Sequence, residues 1–367
     1  MREINIQKNR YIKLDIARTF AILCVCLCHC SELIYVYSQK PVIVPEISVY
    51  SRVFMIVSFT LGRLGVPVFL FLTGALLLRK TMDSDESVFD FYKSKLLPLV
   101  LINAIWIIIY NIFSACFLNE VFYFRKMIKE ILLLKNPSMM NMWYMPVIIG
   151  MYIGIPFIAK IIKSFSFKTI AVVMAATFIF SYIVPAVNSI MKIYGIQEGL
   201  NPVISVSFLG GTYGLYILLG YYMHNESVKK LKIYMITVIM IISFVITVAV
   251  QYISYERWSC YNYRVWYDFP FVLITAACIY MLFERINDEK INNTFSHVFT
   301  YISRISFGIF LVHVLVISIL KEYIGMLGLS MPLTVIVFTI TAFLLSVVII
   351  FILSRNKYIA KYCLLIK

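Results

Sequence analysis

Four ionisable residues occur in one apolar segment near the start of the chain: Asp15, Arg18, His29 and Glu32. If this segment is an α-helix, Arg18 and His29 share one face, because eleven steps of about 100° end within about 20° of three full turns. Asp15 and Glu32 extend the same stripe by about one turn at either end. Arg18 and His29 are then separated by roughly 16 Å along the axis. Because ionisable groups within an apolar span are costly and usually functional, the stripe predicts a site for a long ligand, with a cation for phosphate at one end and a titratable imidazole at the other.

These side chains also have structural interpretations. Arg18 can extend to the membrane interface and pair with Asp15, and a histidine in a helix bundle can simply bond to a neighbouring helix. The occurrence of Arg18 and His29 together on one face favours a functional site. The run Cys28-His29-Cys30 does not indicate a metal site, because consecutive side chains on a helix diverge by about 100°, and we expect no metal.

The element that must carry this stripe is a membrane helix. Of the 367 residues, 62% are hydrophobic and only 14% are charged, and the mean hydropathy is +0.89. A soluble domain has about 45–50% apolar and about 25% charged residues. This composition excludes a soluble enzyme, a disordered chain and a secreted disulfide-rich scaffold. The net charge of +15 does not predict nucleic-acid binding, because the basic residues form short clusters between apolar spans.

The hydropathy pattern predicts an all-α, polytopic membrane helix bundle that forms one domain over residues 1–367. We expect about ten transmembrane helices, at 14–36, 63–79, 96–118, 142–163, 169–187, 205–223, 233–254, 266–284, 305–320 and 332–354. The segments 48–61 and 121–134 are predicted to lie as short helices on the membrane surface. The ninth span, 305–320, is short enough to be re-entrant.

The distribution of Lys and Arg predicts the orientation of the bundle. Segments on the side of the N-terminus hold 21 of the 33 basic residues, and the opposite loops hold 10. Basic residues are enriched in cytoplasmic loops, so both termini are expected in the cytoplasm. The loop 119–141 is an exception with four basic residues, which a surface helix on lipid headgroups would explain. The basic start is not a cleavable signal, because the first span is too long and contains Asp15 and Arg18.

Five further stretches accompany the Arg18–His29 spacing in a recognisable order: Gly65–Gly74, Phe91–Lys95, Trp143–Pro156, Tyr216–Tyr222 and Ser306–His313. Together they resemble the acyltransferase-3 family of integral membrane O-acyltransferases. The nearest subgroup is the surface-polysaccharide O-acetyltransferases that lack an appended extracellular domain. Three positions differ from the family pattern: Thr73 replaces a serine, Asn141 stands where a histidine is common, and Pro98 replaces a basic residue.

The resemblance implies that an acetyl group moves from cytoplasmic acetyl-CoA, a co-substrate, to a hydroxyl of a cell-envelope glycan or lipid-linked sugar. It also implies a multi-pass protein of the bacterial cytoplasmic membrane. A hydroxyl needs a base poised near neutral pH, and histidine is suited to this task. We therefore expect His29 to act as the general base, with Glu32 orienting its ring; Asp15 and Arg18 complete the predicted catalytic set. An acetyl-histidine intermediate is an open alternative.

Coenzyme A carries a pyrophosphate and a further phosphate, which cations on the cytoplasmic side are expected to bind. The candidates are Arg18, Arg79, Lys80, Lys93 and Lys95. Four other residues are candidates for binding the acceptor: Arg63, Trp143, Tyr144 and His313.

Three other functions compete with this interpretation. A transporter or flippase for a lipid-linked sugar would also have about ten spans, but its two halves should match, and the stripe has no second copy. An inactive anchor or sensing module would not need both Arg18 and His29. A different class of membrane acyltransferase could use His313 as its base, and substitution of each histidine would distinguish the two.

Overall fold

The computed structural model describes residues 11–35, 48–204, 206–207, 209–224, 231–258, 265–321, 323 and 328–366. Over these ranges the chain forms helices and no strands. The first six α-helices are α1 (Ile12–Ile34), α2 (Val49–Gly62), α3 (Gly65–Leu77), α4 (Asp85–Phe91), α5 (Leu97–Phe117) and α6 (Phe124–Ile131). The next five are α7 (Tyr144–Ser164), α8 (Phe167–Phe178), α9 (Val184–Ile193), α10 (Gly211–His224) and α11 (Ile233–Trp258). The last four are α12 (Pro270–Glu284), α13 (Asn293–Leu320), α14 (Met331–Leu353) and α15 (Lys357–Cys363).

The predicted all-α membrane bundle is confirmed. Within the described ranges, eight helical segments are long and apolar enough to cross a membrane: Ile12–Ile34, Val49–Leu77, Asp85–Phe117, Tyr144–Ser164, Phe167–Ile193, Ile233–Arg257, Asn293–Leu320 and Met331–Leu353. Short π-helical turns at Tyr92–Leu96 and Ile179–Ile183 join the parts of two of these segments. The sixth and eighth predicted spans correspond to α10 and α12, which have only 14 and 15 residues.

The prediction of a surface helix at 48–61 is wrong. This segment forms α2, which continues into α3 after only two residues, and the two helices form one apolar segment of 29 residues. Met55, Ile56 and Phe59 on α2 are fully buried. Gly62 permits the close packing on α1, since a Cβ there would lie 2.6 Å from the backbone nitrogen of Cys28. The segment is apolar because it packs inside the bundle.

The ninth span is longer than predicted. The prediction placed it at 305–320, but α13 has 28 residues and begins at Asn293. Its first half contains polar residues, and one of them, Ser303, lies 3.5 Å from Nη1 of Arg18 on α1. Ser303 and Ser306, for example, are both buried. Hydropathy alone could not detect this part of the helix.

The helices α3 and α10 pack with their backbones in close contact. A Cβ on Gly74 would lie 1.8 Å from the carbonyl oxygen of Ile217, and one on Gly220 would lie 2.1 Å from that of Phe71. The two backbones can therefore touch only because glycine occupies both positions. Two of the stretches that carry the family resemblance, Gly65–Gly74 and Tyr216–Tyr222, thus form one helix–helix interface.

Candidate active site

The helix α1, which carries the ionisable stripe, lies at the centre of the bundle and packs against α2, α3, α13 and α14. Asp15 and His29 are buried, with 5% and 8% of their surface exposed. The carboxylate of Asp15 accepts a hydrogen bond from the hydroxyl of Thr300 at 3.3 Å. At the next turn, Nη1 of Arg18 lies 3.5 Å from the hydroxyl of Ser303. The polar first half of α13 therefore faces the Arg18 end of α1.

His29 and Glu32 form a close pair one helical turn apart. The Nδ1 atom of His29 lies 2.7 Å from Oε2 of Glu32. If Nδ1 carries the proton, it donates to the carboxylate and leaves the lone pair of Nε2 available to accept a proton. The pair therefore has the arrangement of a base oriented by a carboxylate.

His313 packs directly against His29. The two ring centroids are 5.3 Å apart, and the rings are inclined by 38°. His313 is fully buried, and its Nδ1 lies 3.0 Å from the carbonyl oxygen of Ile309, which can accept only from a protonated nitrogen. Nδ1 therefore carries the hydrogen, and Nε2 has no hydrogen-bond partner among the described residues.

A cavity of about 660 Å³ opens beside His29. We name it the histidine cavity; it is lined by His29, Glu32, Arg63, Trp143, Tyr144, Trp266 and Tyr267, among others. The loop 136–141 completes its wall. The cavity combines an imidazole, a carboxylate, a guanidinium and several aromatic rings, which suits a polar ligand such as a sugar.

A second cavity, of about 390 Å³, lies at the Arg18 end of α1. We name it the arginine cavity; its polar lining includes Arg18, Lys95, Tyr152, Ser303 and Arg304. Three cations are thus brought together from α1, the π-helical turn before α5, and α13. Guanidinium and ammonium groups converging on one cavity are typical of phosphate binding.

The two cavities meet at a common wall. Val25, Val66, Tyr144 and Phe310 line both of them. The rings of Tyr144 and Phe310 contact each other, with centroids 5.8 Å apart. A mainly apolar constriction therefore separates the cations of the arginine cavity from His29.

Arg63 is held by aromatic rings at the edge of the histidine cavity. It lies between α2 and α3 and is 3% exposed. Its guanidinium is 3.5 Å from the ring centroid of Trp266 and 4.4 Å from that of Phe59, and Nη1 donates to the carbonyl oxygen of Val265 at 3.0 Å. Such stacking fixes the direction of the positive charge.

Trp143 extends this aromatic wall. Its ring stacks on that of Tyr267 with centroids 5.4 Å apart, and it also contacts the ring of Trp266. In the adjoining loop, the neighbouring Asp268 is partly buried. Burial raises the pKa of its carboxyl group, and Arg63 opposes this rise.

Asn141 stands where the acyltransferase-3 pattern commonly has a histidine, and its side chain forms hydrogen bonds to two helices. Its amide nitrogen donates to the hydroxyl of Tyr110 and to the carbonyl oxygen of Phe310, both at 3.0 Å. The hydroxyl of Tyr110 donates in turn to the carbonyl oxygen of Leu311. Asn141 therefore attaches the loop before α7 to α5 and α13.

The predicted site residues are only partly brought together. His29, Glu32, Arg63, Trp143 and Tyr144 line the histidine cavity, and Arg18 and Lys95 line the arginine cavity. By contrast, Asp15 lines neither cavity, and His313 lies behind His29. The side chains of Arg79, Lys80 and Lys93 are exposed and lie outside the lining of the arginine cavity. In the described part of the chain, no three His, Cys, Asp or Glu residues are grouped so as to hold a metal ion.

One lining cation was absent from the predicted set. Arg304 lines the arginine cavity from α13, far from Arg18 in sequence. It is the last Lys or Arg before the apolar stretch 305–320. Arg18 is likewise the one Lys or Arg within the first predicted span, 14–36. That position at the border of a span is the signal that could have identified it.

The chain matches the model of a known protein family. The model of the acyltransferase-3 family, described as an acyltransferase domain, matches residues 11–355. Curated proteins and solved structures gave no match. The matched range includes α1 through α14 and every residue of the two cavities except Leu365.

Proposed function

We propose that this chain, which belongs to the acyltransferase-3 family, moves an acetyl group from cytoplasmic acetyl-CoA to a hydroxyl of a cell-envelope glycan or lipid-linked sugar. Membership of the family supports membrane acyltransferase activity. One observation supports the proposed donor and acceptor: a cavity lined by Arg18, Lys95 and Arg304 meets a cavity lined by His29 at a shared wall. A ligand with phosphates at one end and a reactive group at the other fits this arrangement.

In this proposal, the phosphates of coenzyme A bind in the arginine cavity. Arg18, Lys95 and Arg304 provide the positive charge. The apolar constriction at Val25 and Val66 then accommodates the narrow arm that carries the thioester. This places the thioester on the side of His29, while the charged part of the donor stays with the cations.

His29 acts as the general base in the proposed reaction. Its Nε2 removes the proton of the acceptor hydroxyl as the oxygen attacks the thioester carbonyl carbon. The new C–O bond forms, the C–S bond breaks, and the proton passes from His29 to the leaving sulfur. Glu32 holds the ring through Nδ1 and stabilises the positive charge that develops on it. Arg63 is the cation in the same cavity that can face the oxyanion or the acceptor.

The acceptor is proposed to bind in the histidine cavity. Trp143, Trp266 and Tyr267 offer aromatic faces to a sugar ring. His313 is proposed as a positioning residue because it packs on His29 and does not line the cavity. The family and the membrane helices suit a multi-pass protein of the bacterial cytoplasmic membrane.

The test uses purified protein in nanodiscs and radiolabelled acetyl-CoA. We expect the wild type to bind acetyl-CoA and turn it over, His29→Ala to bind it without turnover, and Arg18→Ala to bind it weakly. Lys95→Ala and Lys93→Ala form a matched pair, because only the first residue lines the arginine cavity. A wild-type protein that neither binds nor consumes acetyl-CoA, even with envelope extracts present, would overturn the proposal.

A further inference from the structure

A second cluster of cations lies on the same side of the bundle as His29. Arg125, Lys126, Lys129 and Lys135, together with Tyr123, line an open concave site of about 430 Å³. We name this site the basic cradle. Among the described residues, none of its four cations forms an ion pair with a carboxylate. The cradle therefore presents four positive charges that no carboxylate in the described part of the chain pairs with.

Buried contacts on one side fix the position of helix α6. Glu130 and Met127 are buried on its inner face. The carboxylate of Glu130 accepts hydrogen bonds from the amide of Asn111 at 3.0 Å and from the hydroxyl of Ser138 at 2.6 Å. The single acid of α6 is thus engaged with α5 and the following loop. Arg125 and Lys129 are exposed one turn apart on α6, and Lys126 is half-buried at the side of the same helix.

The end of α6 turns the chain back so that Lys135 joins the cradle. The backbone N–H of Leu134 donates to the carbonyl oxygen of Lys129, and that of Leu133 donates to that of Glu130. These two bonds form a Schellman motif, which usually has glycine at its left-handed position. Here Leu133 occupies that position with a φ of 59°. The chain maintains this turn although it is unfavourable for leucine.

The cradle is continuous with the rim of the histidine cavity. Lys135 lines the cradle, and the next residue, Asn136, lines the cavity. Consecutive Cα atoms are about 3.8 Å apart, so the two sites share an edge. Ser138 connects them again, because it lines the cavity and donates to Glu130 on the cradle helix.

Exposed apolar side chains next to the cradle residues in the sequence suit contact with lipid. Phe122, Phe124, Leu132 and Leu134 are all exposed. A short helix with exposed apolar and basic residues lies at the depth of the lipid headgroups. A phosphate at that depth would meet the cations, and a sugar attached to it would reach the adjoining cavity.

We propose that the basic cradle binds a phosphate or pyrophosphate carried by the acceptor, so that the substrate class is a sugar linked to lipid through phosphate. This inference rests on the proposed function of the histidine cavity. The phosphate holds the acceptor at the rim, and the attached sugar enters beside His29. The same chemistry is present in anionic phospholipid headgroups, and the test separates these two sources.

The test measures binding of radiolabelled pyrophosphate to the full chain in nanodiscs of neutral phosphatidylcholine. All proteins carry Arg18→Ala and Lys95→Ala, which reduces binding in the arginine cavity. The cradle variant adds R125Q, K126Q, K129Q and K135Q. Its control adds K168Q, K192Q, K357Q and K361Q, which remove the same charge from positions outside the cradle. A third protein adds K126R, K129R and K135R, which keep the charge.

We expect the cradle variant to lose pyrophosphate affinity by about tenfold or more, because several exposed cation contacts are removed. The control and the variant with K126R, K129R and K135R should bind pyrophosphate with the affinity of the parent, which carries only Arg18→Ala and Lys95→Ala. Equal affinities of the cradle variant and the control would overturn the proposal. Size-exclusion chromatography and thermal melting verify that the cradle variant is folded.

A second arm replaces 30% of the neutral lipid with phosphatidylglycerol. The negative surface potential of about −30 mV repels pyrophosphate equally from every variant, so the readout is the ratio of the affinities of the cradle variant and the control in the same discs. If the cradle is built for the acceptor, this ratio should stay close to its value in neutral discs, whereas disappearance of the difference would assign the cradle to phospholipid headgroups and overturn the acceptor proposal. The binding assay does not depend on turnover. Failure of acetyl-CoA consumption by the wild type therefore refutes the proposed reaction separately from the cradle.

Discussion

The Nδ1 atom of His29 lies 2.7 Å from Oε2 of Glu32, one turn further along the same helix. This contact depends only on the helical spacing of three residues and does not require a second element. The ring of His29 is also packed against His313 from α13. The orientation of the proposed base is thus fixed by one contact within α1 and one from another helix.

Glu32→Gln is expected to lower kcat for acetyl transfer by about 10- to 100-fold. A hydrogen bond to a charged group contributes about 1.5–3 kcal/mol, and each 1.4 kcal/mol corresponds to about tenfold in rate. The KM for acetyl-CoA should change little, because Glu32 does not line the arginine cavity. Glu32→Asp serves as the control and should recover part of the rate. Unchanged kcat in Glu32→Gln would exclude a role for the negative charge of Glu32.

His29→Ala and His313→Ala distinguish the two candidate bases. Removal of a general base is expected to lower kcat by about 10²–10⁴-fold, and we expect this loss for His29→Ala. His313→Ala should cause a smaller loss of kcat together with a lower melting temperature, because it leaves a void behind His29 in a fully buried position. Turnover is measured at saturating acetyl-CoA for both variants. The reverse order of the two losses would make His313 the base.

The arrangement within α1 could be predicted from the sequence, whereas contacts between helices could not. The 3.6-residue period is sufficient to place Arg18 and His29 on one face. Their partition into two cavities depends on Val66 and Phe310, which come from α3 and α13. Arg304 reaches the arginine cavity only through the packing of α13 on α1. A single sequence does not contain that packing.

The error at 48–61 has the same origin. Hydropathy identifies apolar segments, but it does not distinguish a helix lying on the membrane from one packed inside the bundle. For α2 the deciding feature is Gly62, which allows the backbone of Cys28 to approach.

The positions of three cations could not be predicted either. The sequence predicts Arg79, Lys80 and Lys93 beside the phosphates of coenzyme A. In the structure their side chains are exposed and lie outside the lining of the arginine cavity.

Arg63→Lys tests the planar stacking of Arg63 over Trp266. Lysine keeps the charge but not the flat guanidinium that lies 3.5 Å from the indole centroid. A desolvated cation–π contact is worth about 2 kcal/mol, so we expect a lower melting temperature and a higher KM for the acceptor. Arg52→Lys, at an arginine outside the histidine cavity, is the control. If Arg63→Lys has the melting temperature and the KM of the wild type, the positive charge at position 63 is sufficient and the planar stacking is not needed.

Asp268→Asn is expected to stabilise the protein at neutral pH. Burial raises the pKa of Asp268 in the folded state, so the folded protein holds this proton more tightly than the unfolded chain does. The contribution of Asp268 to stability is therefore complete at pH values below its unfolded pKa and is lost as the pH rises through the folded pKa. The melting temperature of Asp268→Asn should exceed that of the wild type at pH 7. The two should converge near pH 4, and a constant difference across this range would contradict the assignment.

Gly74→Ala is expected to destabilise the bundle, because the added Cβ would lie 1.8 Å from the carbonyl oxygen of Ile217. The helices α3 and α10 must then separate, and overpacking of this kind costs about 1–3 kcal/mol. Gly150→Ala in α7 is the matched control, since a Cβ added at Gly150 would have no neighbouring atom within 4 Å. That substitution removes a flexible residue from a helix and should stabilise by roughly 0.5–1 kcal/mol. Thermal melting in one detergent measures both. Because α3 lines both cavities through Val66, Gly74→Ala should also weaken acetyl-CoA binding, and equal stability of the two variants would show that the α3–α10 contact is not tight.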